Sequence, residues 1–224
     1  MYTPAHFAEN RLPVLQALMH EHPLATLVTL GADGLVANHV PLLFEAADPA
    51  ATADGQAVVG WLRGHVARAN PVWRDTDPDG PVLAIFQGPQ AYISPSWYPS
   101  KREHGRVVPT WNYAVVHAHG RLLVRDDPAW THALVERLTR EHEAPRAAPW
   151  AVGDAPDDYI AQLTRAIVGI EIPVLRLEGK WKTSGNQPAA NRVGVAQGLT
   201  ASAVEADRRM AALVAAHDQP PAGA

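Results

Sequence analysis

Residues 24–44 read LATLVTLGADGLVANHVPLLF, and this stretch decides the fold. Leu24–Leu30 is a run of apolar and β-branched residues, which is typical of a strand. Gly31–Gly34 follows as Gly-Ala-Asp-Gly and predicts a hairpin turn. From Val36 onward every second residue of Leu35–Phe44 falls on one face, which predicts the returning strand. Two strands joined by so short a turn pair antiparallel, and this sets the expected pattern for the whole sheet.

The rest of the chain extends the pattern on both sides of the hairpin. Further strands are predicted at Ala57–Leu62, Val82–Gln87, Gln90–Ser94, Trp111–Val124 and Ile170–Leu177. The last of these contains Pro173, which indicates an edge position or a bulge. Helices are predicted at Asn10–His22, from Asp127-Pro128 onward, at Asp157–Val168 and from a capping box at Ser202 to about Ala216. Short connections between strands favour a mostly β fold with peripheral helices, in which an antiparallel sheet closes into a barrel.

Composition narrows the class of protein. The chain has no cysteine, so disulfides, thiolate metal sites and thiol catalysis are excluded. No apolar segment is long enough to span a membrane, and Met1–Glu9 does not resemble a signal peptide, so we expect a cytoplasmic protein. The formal net charge of −4 is unlike that of a dedicated DNA-binding domain. Its one local basic run, Lys101–Arg106, is typical of a solvated loop.

The segment Gly64–Pro71 contains the strongest candidate for binding an anion. It reads Gly-His-Val-Ala-Arg-Ala-Asn-Pro and leads from a predicted strand into a short helix. An anion placed there would meet the guanidinium of Arg68 and free backbone N–H groups at the helix start. Spacing alone fits an ordinary surface turn equally well, so the residues by themselves leave both interpretations open.

Aromatic residues and histidines supply two further candidates. Tyr92–Pro99 and Thr110–Tyr113 concentrate aromatic rings beside small hydroxyls, which suits a planar heteroaromatic ligand but also ordinary core filling. His117 and His119 share a face of one predicted strand, as a pair of metal ligands would. No nearby carboxylate in the sequence completes a metal motif, and we therefore predict no metal site.

Several of these segments together resemble the PaiB-like family of FMN-binding negative transcriptional regulators. The matching blocks recur in order from residue 1 to about Leu199, and they are Met1–Pro4, Gly64–Pro71, Tyr92–Tyr98, Pro109–Tyr113, Ala166–Ile172 and Leu177–Lys182. The resemblance implies a split β-barrel that binds FMN in a groove between the two subunits of a homodimer. It also implies an FMN-binding domain at residues 1–199, a C-terminal helix at 200–217 packed on it and a frayed tail at 218–224.

The resemblance further implies which residues bind the cofactor. Arg68 is the best candidate for holding the FMN phosphate, and Asn38 and His39 would face the ring system largely through backbone groups. The remaining implied cofactor-binding residues are His65, Val66, Asn70, Trp111 and Asn112. One block departs from the family pattern, because Gly185 and Gln187 stand where the family has glutamine and arginine. This departure puts a role of that loop, and tight FMN binding, in doubt.

Function is implied at the level of the family. The resemblance implies a negative transcriptional regulator, with possible DNA contact that the net charge does not support and no membrane partner. The alternative is a flavin-dependent oxidoreductase or flavin reductase related to pyridoxamine-phosphate oxidases, in which the flavin carries out the redox step. Haem handling through histidine is a third and weaker interpretation. No catalytic residue is assigned, and the sequence leaves open whether the protein is an enzyme.

Overall fold

The computed structural model describes residues 1–216 of the 224-residue chain. Its strands, numbered in chain order, are β1 (Ala8–Glu9), β2 (Leu24–Gly31), β3 (Gly34–Pro41), β4 (Leu43–Ala46), β5 (Thr52–Ala53), β6 (Gln56–Ala57), β7 (Gly60–Ala67), β8 (Val82–Ile93), β9 (Thr110–Gly120), β10 (Leu123–Arg125) and β11 (Ile167–Lys182). Its helices are α1 (Leu12–Glu21), α2 (Val72–Asp75), α3 (Ser100–His104), α4 (Pro128–Glu143), α5 (Asp157–Arg165), α6 (Ala189–Thr200) and α7 (Glu205–Ala216). The predicted tail at 218–224 lies outside the described residues.

The predicted hairpin is confirmed at its turn, but its second strand ends at Pro41, and Leu43 and Phe44 belong to the separate strand β4. Strands β2 and β3 pair antiparallel, with Leu24 opposite Pro41 and Gly31 opposite Gly34, so the turn consists of Ala32 and Asp33. Nine strands form one sheet in the order β3-β2-β8-β9-β11-β7-β4, with β1 and β10 also paired to β11. The expected mostly β architecture with peripheral helices is therefore present.

The two ends of this strand order meet at one corner. Strands β3 and β4 lie at opposite ends of the order, and the single residue Leu42 joins them in the chain. Gly64 of β7 makes the close approach possible, because a Cβ there would lie 2.6 Å from the carbonyl oxygen of Pro41. Since any larger residue would collide with this backbone, glycine is required where the sheet curves back on itself.

The chain divides into two compact units, and three long strands continue from one unit into the other. The first unit consists of Met1–Leu18, Gln87–Val116 and the chain from Glu178 onward, and the second consists of Met19–Phe86 and His117–Leu177. In the first unit, α6 and α7 pack Val195, Leu199 and Met210 against Ile93 of β8. The domain boundaries implied by the resemblance stay a prediction.

In the second unit, the sheet and α4 both contribute buried residues. Leu27, Leu62 and Ile170 are fully buried strand residues. Helix α4 has the predicted N-cap, Asp127, whose carboxylate accepts hydrogen bonds from the N–H groups of Ala129 and Trp130. Its apolar stripe, Leu134 and Leu138, packs on Leu43 of β4. Among the described residues, no helix is long and apolar enough to cross a membrane.

Several local predictions are wrong: the helix predicted at Asp157–Val168 ends at Arg165, and the strand predicted at Trp111–Val124 is divided after Gly120. Gly88-Pro89 does not divide two strands, because β8 runs through it; a Cβ at Gly88 would lie 2.8 Å from the Leu18 side chain, so this glycine makes room for packing. Of the two alternatives predicted for Pro173, the edge position is wrong, since β11 lies between β9 and β7. At α7, Ser202 does not form the predicted capping box; its hydroxyl accepts from the Val204 N–H and bonds Asp207.

Candidate functional site

A pocket of about 520 Å³ opens in the second unit between the β2–β3 hairpin and the segment that leads into α2. This volume lies within the range of small-molecule and cofactor sites. Two residues predicted to bind the cofactor, Asn38 and Asn70, are brought together in its wall. The complete lining is Thr29, Gly31, Val36, Asn38, Ala69, Asn70, Pro71, Val72, Asp75 and Thr76.

The two asparagine side chains form a short chain of hydrogen bonds. The Asn70 amide donates from Nδ2 to Asn38 Oδ1 at 2.8 Å, and the Val72 N–H donates to Asn70 Oδ1 at 3.0 Å. These bonds fix the amide orientations and leave Asn38 Nδ2 buried with no hydrogen-bond partner among the described residues. A buried donor without a partner costs free energy, which a ligand with an acceptor at this position would recover.

The electrostatics of the pocket favour an uncharged ligand group. Among the described residues that line it, Asp75 is the one that carries charge, and none is a lysine or arginine. A phosphate dianion here would meet a carboxylate and no counter-charge, which is unfavourable in a partly buried site. The pocket therefore fits a planar ring edge or a hydroxylated chain that accepts a hydrogen bond from Asn38.

Arg68 lies at the end of this same segment, but its guanidinium is engaged by the protein. It holds the Asp126 carboxylate through two hydrogen bonds, at 2.9 Å from Nη1 and 2.6 Å from Nη2. It also donates to the carbonyl oxygens of Arg165 at 2.8 Å and Ile167 at 3.2 Å. Hydrogen bonding to Arg68 holds the pKa of Asp126 below its ordinary value. The phosphate contact of Arg68 stays a prediction, and in this structure its guanidinium is bound to Asp126.

The sequence predicted that backbone N–H groups beside Arg68 are free to bind an anion. Most of them instead donate hydrogen bonds within the protein. The N–H groups of Arg68 and Asn70 donate to Ala166 and Ala67 carbonyls, and that of Val72 donates to Asn70 Oδ1. Helix α2 is only four residues long, so it offers little of the dipole expected of a helix start. The anion-binding capacity of the segment therefore depends on the Arg68 side chain.

The other predicted residues of the second unit are dispersed over both faces of their strands. His39 alternates with Asn38 along β3, so its exposed side chain points to the opposite face. Val66 belongs to the core at 5% exposure, opposite Val168. His65 is partly buried, and burial lowers its pKa. Of these side chains, none is part of the pocket lining; whether they contact cofactor stays a prediction.

Trp111 and Asn112 belong to the first unit and lie on opposite faces of β9. Asn112 is 1% exposed and donates from Nδ2 to the Ser184 hydroxyl at 2.9 Å, while its Oδ1 is buried without a partner among the described residues. Ser184 itself has a left-handed backbone with φ of 63°. Trp111 is 54% exposed, and its carbonyl oxygen accepts from Lys182 Nζ at 2.7 Å. Burial lowers the pKa of Lys182.

The aromatic segments serve two purposes. Tyr98 is buried in the core formed with α6 and α7, and Trp97 packs against Gly198 of α6, so these two residues fill the interior. Tyr92 and Trp111, in contrast, are both about half exposed and meet edge to face with ring centroids 6.0 Å apart. This second pair remains available as a platform for a planar ring.

Sequence reasoning missed two residues that shape these sites. Asp126 directly precedes the N-cap of α4. It lies 58 residues from Arg68 in the sequence, so no local pattern predicts the ion pair. Ser184 belongs to the block that departs from the family pattern, although its hydroxyl is the partner of Asn112. In that block, the carbonyl oxygen of Gln187 accepts from the Arg192 guanidinium at 2.5 Å, so a cation does reach the loop. His117 and His119, the candidate pair of metal ligands in the sequence, have ring centroids 6.3 Å apart.

Comparison with solved structures places the fold in a known class. The chain superposes on the FAD and haem binding protein from Mycobacterium smegmatis with a TM-score of 0.53 at 15% identity, covering 78% of this chain and 73% of that one. It superposes on the flavocytochrome Anf3 from Azotobacter vinelandii with a TM-score of 0.51 at 11% identity, covering 78% and 69%. The fold is therefore the split barrel of this class of structures, as the sequence predicted.

Sequence comparison then defines the family. The chain is 31% identical to the Protease synthase and sporulation protein PAI 2 of Bacillus subtilis over 89% of both chains. It is 33% identical to an uncharacterized protein of Aspergillus fumigatus, over 89% of this chain and 90% of that one. The chain belongs to the family described as "Putative FMN-binding domain", whose profile matches residues 1–176. The predicted resemblance is confirmed, and FMN is the cofactor for which this family is described.

Proposed function

We propose that this chain is an FMN-binding regulator of transcription that acts as a homodimer, and that the β2–β3 pocket receives an uncharged part of the flavin. The observation that carries the flavin assignment is the buried Asn38 Nδ2, which has no hydrogen-bond partner within residues 1–216 and lies in a pocket whose described lining contains no cation. Flavin rings carry carbonyl oxygens and ring nitrogens along one edge, and these groups accept such a hydrogen bond. Membership of an FMN-binding family supports the same assignment.

Titration of FMN into the purified protein, followed by quenching of flavin fluorescence, tests this proposal. We expect Asn38→Asp to weaken FMN binding about tenfold or more, because an acceptor replaces the donor and adds negative charge. The matched control is His39→Ala, which removes a side chain from the opposite face of the same strand. Equal losses in both variants would place the flavin elsewhere, and absence of saturable binding by the unaltered protein would refute the proposal.

Support for a regulatory role comes from the relative in Bacillus subtilis, whose name refers to protease synthesis and sporulation. On this chain, direct contact with DNA would fall on Lys101, Arg102 and Arg106, whose side chains are exposed on and just after α3. The test is a DNA mobility-shift assay at rising salt concentration. The probe is the DNA upstream of the gene that encodes this chain. Replacing these three residues by glutamine lowers the salt slope by about 0.9 for each phosphate that the protein no longer neutralises; absence of any shift at low salt would exclude direct binding.

The homodimer is supported by the apolar surface of β3. Leu35, at 76% exposure, shares a face with its cross-strand partner Leu30, at 41%, and β3 has one strand neighbour in the described part of the chain. Exposed apolar edges of this kind are usually covered by a partner. Light scattering after gel filtration measures the mass. We expect a dimer that Leu35→Glu shifts toward the monomer, and a monomeric unaltered protein would contradict the proposal.

A spectroscopic outcome separates the regulator from the alternative enzyme. If NADPH or NADH bleaches the bound flavin and air restores its absorbance through repeated turnover, the protein is an oxidoreductase. A flavin that neither nucleotide reduces supports the regulator instead.

A further inference from the structure

The orientation of the Arg68 guanidinium is fixed by contacts other than its ion pair. Its Nε and Nη2 donate to the carbonyl oxygens of Arg165 and Ile167, while the outer edge of the guanidinium faces Asp126. The Trp73 ring lies beneath it, 5.9 Å from the guanidinium carbon. The carbonyl and ring contacts keep the fork in position independently of the carboxylate, so a different anion could replace Asp126 without reorganising Arg68.

The Asp126 carboxylate can leave Arg68 at little cost in stability. Its side chain is 44% exposed, it follows β10 directly, and within residues 1–216 its carboxylate accepts hydrogen bonds from Arg68 alone. Exposed ion pairs contribute little to stability, so releasing this carboxylate to water costs the fold little. The neighbouring Asp127 caps α4 and stays in place, which confines any movement to the Asp126 side chain and adjoining backbone.

A carboxylate and a phosphate monoester offer the same pair of oxygens to a guanidinium fork. We propose that Asp126 is an internal competitor that occupies the phosphate position on Arg68 and sets how strongly the chain prefers phosphorylated over unphosphorylated ligands. This inference rests on the proposed function for its ligand, FMN, but the competition itself concerns any phosphate monoester or inorganic phosphate.

The direct test uses inorganic phosphate and does not require flavin binding. We expect Asp126→Asn to bind phosphate about tenfold more tightly than the unaltered protein, by calorimetry at low salt, because the neutral amide neither pairs with Arg68 as the carboxylate does nor repels the charge of the bound phosphate. The double variant Asp126→Asn/Arg68→Gln loses this gain. The matched control is Asp33→Asn, which removes the same charge at the exposed β2–β3 turn; an equal gain there, or none in Asp126→Asn, overturns the proposal.

The second test measures the ratio of riboflavin to FMN dissociation constants. We expect a ratio within a fewfold of one in the unaltered protein and a rise of about tenfold in Asp126→Asn. If both flavins bind but the ratio does not change with Asp126, the competitor is refuted while the pocket assignment stands. If phosphate binding responds to Asp126 but neither flavin binds, the proposed function fails while the competitor stands.

Discussion

The charge network around Glu171 and the pocket beside Asn38 both lie in the second unit, and both are polar, yet they differ in how their polar atoms are satisfied. The Glu171 carboxylate is 5% exposed and accepts from Arg63 at 2.6 Å and from Arg125 at 2.6 and 3.1 Å. Arg63 also binds Glu45, which in turn binds Arg137. Every charge in this series has an opposite partner within the protein.

The pocket shows the contrary arrangement. Asn70 and Val72 satisfy both oxygen atoms of the asparagine pair, but the Asn38 amide keeps a buried donor unpaired. The closed network around Glu171 joins β4, β7, β10, β11 and α4 and leaves nothing to offer a ligand. The unpaired donor of the open cluster lowers the stability of the free protein, and it stays available to bind a ligand. The difference indicates which polar cluster holds the fold and which is available for function.

The largest expected effect comes from opening the closed network. Glu171→Ala leaves Arg63 and Arg125 facing a site without its buried carboxylate, and we expect the free energy of unfolding to fall by about 3 kcal/mol. Urea denaturation followed by tryptophan fluorescence measures this loss. The control, Glu205→Gln, breaks an exposed pair with Arg209 and should change stability by less than about 0.5 kcal/mol. Comparable losses in the two variants would show that the network is not a special source of stability.

Acid should open the same network without mutation. Burial alone would raise the pKa of Glu171, but hydrogen bonds and positive charge from Arg125 and Arg63 outweigh it and hold the pKa below its ordinary value of 4.5. The unfolded chain therefore takes up this proton more readily than the folded one. The stabilisation is complete above pH 4.5 and is lost as pH falls through the folded pKa.

Urea denaturation of the unaltered protein and of Glu171→Gln between neutral and acid pH checks this expectation. The difference between the two unfolding free energies should shrink as the pH falls. A constant difference across that range would mean that Glu171 is not the group whose stabilising charge disappears in acid.

Local patterns predicted the fold because hairpin order is local information. The turn at Gly31–Gly34 and the start of α4 at Asp127 both follow from neighbouring residues, and the structure confirms both. The edge position predicted for Pro173 is wrong, because a strand's neighbours depend on pairings far away in sequence. Helix α6 was not predicted, and its weak amphipathic pattern, with glycines that receive Trp97, explains why.

The candidate site was predicted only in part for the same reason. The segment Gly64–Pro71 was identified, and its Asn70 does meet Asn38 across 32 residues of sequence. Its expected free N–H groups are bonded within the protein, and its arginine faces an aspartate that no local pattern connects to it. Residue types thus indicate which chemistry is present, whereas long-range pairing decides which groups stay open to a ligand.

The smallest expected effect on stability comes from closing the open cluster. Asn38→Leu removes the unpaired donor and adds apolar surface beside Val36 and Val72, but it also leaves Asn70 Nδ2 without its acceptor. These terms oppose each other, and we expect the free energy of unfolding to change by less than about 1 kcal/mol in either direction. FMN titration of the same variant should nevertheless show affinity reduced about tenfold. A residue that is kept for ligand binding can be replaced with little loss of stability in the ligand-free protein. A destabilisation as large as that of Glu171→Ala would therefore show that Asn38 supports the fold instead.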